Sequence, residues 1–264
     1  MLIGIISGSG SDNWPEIDNL HRQTLKTPYG DVDLLFGRLN NIDVVHISRH
    51  GSQHHNLSNH VNHRANLSAL ISAGVDAVIG CTVCGAVTPS FKPGSLVVFD
   101  DLYFPSNRLP DGSLCTWYET AGAKERGHWI FDRSFSEPLR QALVDAGTSL
   151  DSPFIGEGVY AHIDGPRFNT RTEIAALSAI GVGAISQTAG PETILAGEAG
   201  LAYALVGFVT DYANGVTSEP EALDILSKRV SESGTAFARL IAKAMERLSP
   251  DKLIGAGTIY RVGQ

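Results

Sequence analysis

The chain has 264 residues, of which 43% are hydrophobic and 18% charged, and this composition excludes a disordered chain. Its length favours one large domain, with a core over residues 1–248 and a C-terminal tail over 249–264. A net charge of −8 argues against a surface that binds nucleic acid or anionic lipid. Three cysteines and no apolar stretch of membrane length lead us to expect a soluble, cytoplasmic protein.

Short apolar runs rich in Val and Ile predict six buried strands, and helical periodicity predicts five helices. The predicted strands cover residues 2–6, 43–47, 77–79, 96–99, 184–186 and 202–210. The predicted helices cover residues 62–72, 136–145, 172–179, 192–199 and 219–248, with glycine stop signals at 74, 147 and 181. This alternation indicates an α/β domain with a central mixed sheet flanked by helices, and with sites where loops leave the carboxyl ends of strands.

Two glycine-containing segments that follow predicted strands offer hydrogen-bond donors to an anion. Residues 8–10 (Gly-Ser-Gly) provide backbone amides and the Ser9 hydroxyl, although a tight turn without a ligand explains them equally well. Residues 81–85 (Cys-Thr-Val-Cys-Gly) provide the Thr82 hydroxyl and free amides near Gly85. The C-x-x-C spacing also fits a redox or zinc site, which a single remaining cysteine makes unattractive.

The segment 46–64 is basic and contains no acidic residue. It holds six of the nine histidines together with Arg49, a composition that suits a bound oxyanion better than a metal ion. We therefore predict that Arg49 and His50, at the end of a strand, bind an anion. Three other histidines are expected to be exposed or satisfied by local hydrogen bonds, namely His55, His60 and His63.

Two segments in the second half of the chain carry candidates for recognising an organic substrate. Residues 165–169 (Gly-Pro-Arg-Phe-Asn) combine a rigid turn with a ring that stacks on a flat heterocycle or packs as an ordinary buried Phe. Asp211 ends the last predicted strand, where catalytic groups are commonly mounted, and is the best acid candidate. The stretch 103–126 indicates a functional or subunit-contact loop.

Taken in chain order, these segments resemble the methylthioadenosine phosphorylases, within the trimeric purine nucleoside phosphorylase group. The resemblance spans most of the chain and rests on the joint order of its motifs. These are GIISGSG (4–10), TPYG (27–30), RHG (49–51), VNHRAN (61–66), TVCG (82–85), GPRF (165–168), QT (187–188), PE (191–192), EAG (198–200) and TDY (210–212). The resemblance implies a single-domain phosphorylase fold, a homotrimer, no metal or organic cofactor, and reaction of a 5′-methylthio nucleoside with phosphate.

The resemblance also implies a role for each matching residue. The implied phosphate-binding residues are Ser9, Arg49, His50, Thr82, Val83 and Thr188. The implied nucleoside-binding residues are Phe168, Asn169, Gln187, Asp211, Ala213, Ala222, Ile225 and His128. Phe168 would pack on the purine, Gln187 would lie beside the ribose, and Asp211 would act on the base near N7. Ala222 and Ile225 would surround the 5′ methylthio group, which His128 of a neighbouring subunit would also reach.

Two residues favour a 6-aminopurine, and two depart from the methylthioadenosine phosphorylase pattern. Asn169 and Asp211 stand where 6-oxopurine phosphorylases have Glu and Asn. An ionised carboxylate accepts hydrogen bonds and cannot donate, so Asp211 favours a 6-amino over a 6-oxo group unless it is protonated. Ala213 replaces a usual Asp, for which Asn214 could partly substitute, and Gln187 replaces a usual Met. We predict phosphorolysis of methylthioadenosine. The alternatives are a 6-oxopurine nucleoside or methylthioinosine phosphorylase, a hydrolytic nucleosidase, and a non-catalytic nucleoside-binding protein.

Overall fold

A sheet of eleven strands organises the molecule, and helices cover both of its faces. The computed structural model describes residues 1–9, 17–40, 42–51 and 54–261; Gly10 of the predicted anion-binding segment lies outside these ranges. The strands are β1 (Leu2–Ser7), β2 (Ile17–Thr27), β3 (Gly30–Leu39), β4 (Ile42–Ser48), β5 (Ala77–Ala86), β6 (Leu96–Val98), β7 (Asp101–Tyr103), β8 (His128–Ile130), β9 (Phe154–Ile155), β10 (Val159–His162), β11 (Val182–Ser186), β12 (Ala202–Tyr212) and β13 (Thr258–Tyr260). The α-helices are α1 (His63–Ser72), α2 (Glu137–Thr148), α3 (Arg171–Ala179), α4 (Ala189–Glu198) and α5 (Leu223–Met245).

Four neighbouring strands, β4, β1, β5 and β12, run in one direction, and β11 runs antiparallel to β5. The sheet order is β2-β3-β4-β1-β5-β11-β10-β7, with β12 paired to β5 and β6, and β6 also paired to β9. β1 is parallel to both β4 and β5, and β5 is parallel to β12. The carboxyl ends of β1, β4 and β12 therefore lie at the same edge of the sheet, where ligands bind in open α/β folds.

Alternating side chains divide the core between the two faces of the sheet. Ile6 of β1 and Val78 of β5 pack in the cluster that contains α1 and α4 residues. Their neighbours Ile5 and Ile79 pack on the opposite face, in the cluster that contains α2 and α5 residues. Strands covered on both faces are nearly continuous apolar runs, which explains why the sequence pattern identified them.

The predicted α/β class with a mixed sheet flanked by helices is confirmed, and every predicted strand and helix is present. The boundaries differ in one place that affects the site: β5 continues to Ala86, so residues 81–85 belong to the strand rather than to a loop after it. Gly74 and Gly181 end their helices with φ of +77° and +88°, conformations that favour glycine. Gly147 lies inside α2, so its assignment as a stop signal is wrong.

Some regular structure lies outside the predicted elements. The β2–β3 hairpin extends one edge of the sheet, and β2 is almost entirely exposed, so it carries no apolar alternation. In the C-terminal tail, β13 pairs antiparallel with β8, and Trp129 Nε1 donates to Ala256 O at 2.7 Å. The long connection between β7 and β8 contains turns and one isolated bridge, in agreement with the loop predicted over residues 103–126. No helix in the described ranges is long and apolar enough to cross a bilayer.

Candidate active site

The segments after β1 and β4 meet at the carboxyl edge of the sheet. The two strands end in register, and the Arg49 amide donates to Ser7 O at 2.8 Å. The Gly8 backbone lies against both predicted anion ligands, because a Cβ atom there would be 2.8 Å from Arg49 Nη1 and 3.7 Å from His50 Nε2. Ser9 follows in a half-buried turn. The structure thus brings together the first three predicted phosphate-binding residues.

Arg49 is held by a buried carboxylate that the sequence analysis did not assign to the site. Its Nε and Nη2 donate to the two oxygens of Glu192, and its Nη1 donates to Cys81 O at 2.9 Å. The Arg49 and Glu192 side chains are 1% and 0% exposed. Burial lowers the pKa of Arg49, but the Glu192 carboxylate raises it by more, so the guanidinium is charged. The pair therefore fixes the orientation of the Arg49 fork against Gly8.

His50 is a neutral imidazole with a defined tautomer. Its Nδ1 lies 2.8 Å from Asn56 O, and because a carbonyl only accepts, Nδ1 carries the proton and Nε2 is an acceptor. Burial, followed by the charges of Arg49 and His54, lowers the pKa of His50 to about 4. His50 therefore offers an acceptor to the site rather than the expected donor. An acceptor suits a phosphate oxygen that still carries a proton.

Thr82 and Thr188 lie beside the amino end of α4. Thr82 Oγ1 is 2.8 Å from Ser186 Oγ, which is 2.6 Å from Tyr160 OH. The Tyr160 hydroxyl accepts from the Ala189 amide in the first turn of α4 at 3.1 Å. Thr188 is the buried N-cap residue of this helix, and its side chain makes no capping bond. Because the amino end of a helix favours negative charge, the two predicted phosphate-binding hydroxyls lie where an anion would be stabilised.

Asp211 marks the opposite end of the site. It pairs with Gly85 in the ladder between β12 and β5, and Gly85 also pairs with β11. Gly85 therefore lies within the sheet and not in a loop after the strand. Gly85 lies three residues beyond Thr82, and three residues of strand span about 10 Å. The anion-binding donors and the Asp211 carboxyl group are thus separated by roughly the extent of a sugar with its base.

The Asp211 carboxyl group is half-buried and easier to protonate than an exposed one. Burial raises its pKa, while the Thr210 hydroxyl, which donates to Oδ1 at 2.7 Å, and the charge of Arg229 oppose the rise. A carboxyl group with a raised pKa at the end of a strand has the properties of a general acid.

The loop that follows β10 is tied to the segment after β12. Phe168 is 79% exposed, so the alternative of an ordinary buried Phe is wrong. Asn169 is buried, and its Nδ2 donates to Glu173 Oε2 at 3.3 Å. Asn214 Nδ2 donates to Asn169 O at 2.7 Å. The Asn214 amide thus joins two loops.

Gln187 and Ala213 are the two departures from the family pattern. Gln187 Oε1 accepts from Ser58 Oγ at 2.8 Å, and its Nε2 donates to Arg167 O at 3.0 Å. The amide therefore connects two loops around the predicted ribose position. Ala213 is buried beside Gly85, where a Cβ atom on Gly85 would lie 3.7 Å from Ala213 Cβ. Ala213 contributes no polar group of its own at this end of the site.

The start of α5 is attached to the strand that carries Asp211. Arg229 Nη1 donates to Thr210 O at 2.9 Å and to Glu221 Oε2 at 2.5 Å. Ala222 is the N-cap residue of α5, and Ile225, in the first turn, is partly exposed. His128 is exposed on β8, where it pairs with Tyr260 of β13 in the C-terminal tail.

Glu192 and His63 are the site residues that sequence reasoning missed. In the sequence Glu192 marks only the start of the predicted helix 192–199, and the acid-free segment 46–64 indicates a bound oxyanion rather than a carboxylate of the chain. His55 and His60 are exposed as predicted, but the prediction for His63 is wrong. His63 is fully buried, and neither ring nitrogen has a hydrogen-bond partner among the described residues.

The cysteines have the properties of core residues. Cys81, Cys84 and Cys115 are free and buried, and burial raises the pKa of each thiol. Within the described ranges, no group of three or more His, Cys, Asp or Glu side chains is arranged to hold a metal ion.

Comparisons with known proteins agree with this fold. The family model for the phosphorylase superfamily matches residues 2–248. The chain is 31% identical over 261 residues to a 6-oxopurine nucleoside phosphorylase from Pyrococcus furiosus, covering 96% of this chain and 95% of that one. It is 36% identical over 214 residues to S-methyl-5′-thioadenosine phosphorylase from Drosophila melanogaster, covering 80% of this chain and 73% of that one. The structure of a methylthioadenosine phosphorylase from Schistosoma mansoni in complex with adenine matches with a TM-score of 0.83 and 27% identity. The match covers 93% of this chain and 91% of that one.

A chain with this fold and these relatives is an enzyme that acts on purine nucleosides and phosphate. It belongs to the phosphorylase superfamily, as a member of the purine nucleoside and methylthioadenosine phosphorylase family. It is a pentosyltransferase with nucleoside phosphorylase activity, which confirms the predicted family and enzyme class. Relatives of similar identity carry both substrate names, so the family does not decide which purine nucleoside is used.

Proposed function

We propose that the protein converts S-methyl-5′-thioadenosine and inorganic phosphate to adenine and 5-methylthioribose 1-phosphate, without a metal or organic cofactor. The observation that carries this proposal is the Asp211 carboxyl group at the end of β12, where burial raises its pKa. This group supplies both the base recognition and the proton that the reaction needs.

Adenine and 6-oxopurines present different hydrogen-bonding groups to such a carboxyl. Adenine has an acceptor at N7 and a donor at its 6-amino group, whereas a 6-oxopurine has acceptors at both positions. A protonated carboxyl group carries one donor and keeps acceptor capacity, so it can serve N7 and the 6-amino group together. Asp211 therefore favours a 6-aminopurine.

Phosphate binds at the other end of the site in this proposal. The Arg49 guanidinium, the Ser9, Thr82 and Thr188 hydroxyls, and the Val83 amide would donate to its oxygens. His50 Nε2 would accept a hydrogen bond from the P–OH group of a hydrogenphosphate ion, because His50 Nδ1 carries the ring proton and donates to Asn56 O. The His50 contact would thereby orient the ion with a charged oxygen towards C1′.

The reaction then needs no covalent intermediate with the enzyme. The bond between C1′ and N9 breaks with its electron pair going to the purine, and Asp211 donates its proton to N7. A phosphate oxygen forms the new bond to C1′. The negative phosphate also stabilises the positive charge that develops on the ribosyl ring.

The remaining predicted residues would surround the nucleoside. The exposed Phe168 ring would stack on the purine, Gln187 would border the ribose, and Ala222 and Ile225 would contact the methylthio group.

We also propose a homotrimer in which His128 completes the 5′ pocket of the neighbouring subunit. Free, buried cysteines support a reducing compartment such as the cytoplasm.

Phosphorolysis of 6-oxopurine nucleosides is the second candidate. Ala213 favours it, since the second acidic residue usual in methylthioadenosine phosphorylases is missing. Relatives that cover almost the whole chain also carry the 6-oxopurine name.

The deciding experiment is release of free base from S-methyl-5′-thioadenosine, methylthioinosine and inosine, each with and without phosphate. We expect phosphate-dependent adenine release with the highest kcat/KM. A higher kcat/KM for either 6-oxopurine nucleoside would replace the proposal with the second candidate. Release that does not depend on phosphate would contradict both.

A further inference from the structure

His63 occupies an unusual position behind the anion-binding end of the site. It is the first residue of α1 and is fully buried, and neither ring nitrogen has a hydrogen-bond partner within the described part of the chain. Burial, followed by the charges of His162, Arg49 and His50, lowers the pKa of His63 well below its ordinary value, so the ring is neutral. A buried polar group without a partner is costly, which calls for a state in which the partner is present.

The nearest acidic group to this ring is the Glu192 carboxylate. His63 Nδ1 lies 3.8 Å from Glu192 Oε1, too far for a hydrogen bond but within reach of a shift of about 1 Å. Oε1 accepts from Arg49 Nε, whereas Oε2 accepts from Arg49 Nη2 and from Tyr203 OH. A carboxylate has about four acceptor positions, so Oε1 has capacity for a second donor.

Bound phosphate would change the hydrogen bonds that the Glu192 carboxylate accepts. A dianion beside Gly8 competes with Glu192 for the Arg49 guanidinium, because each forms charge-assisted hydrogen bonds to the same fork. When the hydrogen bond from Arg49 Nε to Glu192 Oε1 lengthens, Oε1 remains buried but is less well hydrogen-bonded. The only imidazole recorded beside Oε1 in the described residues is that of His63.

We propose that His63 is a positioning residue for phosphate binding: its Nδ1 donates to Glu192 Oε1 when bound phosphate draws the Arg49 guanidinium towards the ligand. His63 does not touch the substrate and transfers no proton. It stabilises the carboxylate that Arg49 partly leaves, and so lowers the free-energy cost of turning Arg49 to the phosphate. The inference rests on the proposed phosphate site and is independent of which nucleoside is used.

The test compares His63→Met and His63→Leu, which remove the donor, with His63→Gln, which keeps one. The Kd for inorganic phosphate is measured by calorimetric titration of the intact enzyme, with KM for phosphate and for nucleoside measured separately. Hydrogen bonds to a charged group correspond to a change of about ten- to a hundredfold, so we expect the phosphate Kd to rise by that factor in the Met and Leu variants. The Gln variant should stay within about threefold of wild type, and KM for nucleoside should hardly change.

Thermal stability separates this role from an ordinary packing role. Without phosphate, the Met and Leu variants should melt at or above the wild-type temperature, because two unpartnered polar atoms are gone. With saturating phosphate, their gain in melting temperature should be smaller than that of wild type. An ordinary packing residue would instead lower the melting temperature with and without phosphate alike.

The inference is overturned if the Met and Leu variants bind phosphate as wild type does, or if the Gln variant weakens phosphate binding as much as they do. A wild-type enzyme that fails to bind phosphate would overturn the proposed phosphate site as well. Phosphate-dependent wild-type turnover with unaffected Met and Leu variants would remove only the role of His63.

Discussion

Replacing Glu192 with Gln tests the buried pair on which the phosphate site depends. The substitution preserves shape but leaves the Arg49 cation, whose side chain is 1% exposed, without its negative partner. Breaking a buried ion pair from one side costs about 3–5 kcal/mol. The amide oxygen of Gln still accepts one hydrogen bond, so we expect the lower end, about 3 kcal/mol. For a domain of this size each kcal/mol changes the melting temperature by about 2–4 °C, so the melting temperature should fall by about 6–12 °C.

Phosphate should offset this loss, because a bound dianion supplies the missing negative charge next to Arg49. A ligand at a hundred times its Kd stabilises the folded state by about 2.7 kcal/mol, and each tenfold gain in affinity adds about 1.4 kcal/mol. Melting curves across a phosphate titration, at constant ionic strength, should therefore show a larger phosphate-induced shift in Glu192→Gln than in wild type. Glu137→Gln is the matched control, since that carboxylate is 47% exposed and its ion pairs contribute about 0–1 kcal/mol. A wild-type melting temperature in Glu192→Gln, or a smaller phosphate shift, would refute the reasoning.

Three further outcomes follow from the site. Asp211→Asn should lower kcat for S-methyl-5′-thioadenosine by about 10²–10⁴-fold, since an amide cannot transfer a proton, and should shift kcat/KM ratios towards inosine. Wild-type kcat/KM should fall as pH rises through the raised pKa of Asp211, where the carboxyl loses its proton, and this alkaline limb should be absent from the pH profile of Asp211→Asn. Gly8→Ala should raise KM for phosphate, because the new Cβ would lie 2.8 Å from a guanidinium that Glu192 holds in place, whereas Gly156→Ala, with a nearest contact of 3.4 Å, should behave as wild type.

Elements buried on both faces of the sheet were predictable, and elements at its margins were not. β1 and β12 are apolar runs because helices cover both of their faces, so composition alone marks them. β2 is exposed along nearly all of its length, and its pairing with β3 leaves no apolar alternation to detect. β5 was cut short at residue 79 because Thr82 and Gly85 resemble loop residues, whereas the flanking β12 keeps them in the ladder.

The location of Arg49 and His50 at the sheet edge was predictable for a different reason. Arg49 and His50 follow a strand, and their position at the sheet edge comes from topology, which the alternation of strands and helices indicates. Glu192 is 143 positions from Arg49 in the sequence, and no local pattern links two side chains at that separation. The same is true of His63, whose burial depends on the packing of α1 against α4 and not on its own neighbours. The charge imbalance within segment 46–64 predicted a bound oxyanion and did not indicate a carboxylate partner from elsewhere in the chain.

In our proposal, substrate choice depends on the protonation state of the Asp211 carboxyl group. Ala213 brings no polar group to the base end, so in our proposal Asp211 must accept from the 6-amino group and donate to N7 at the same time. One carboxyl group does both only when it is protonated, and burial raises its pKa in that direction. Above that pKa, ionised Asp211 still accepts from the amino group but has no proton for N7. Binding of an adenine nucleoside should therefore persist at alkaline pH while its turnover declines, and a second carboxylate is not required for 6-aminopurine preference.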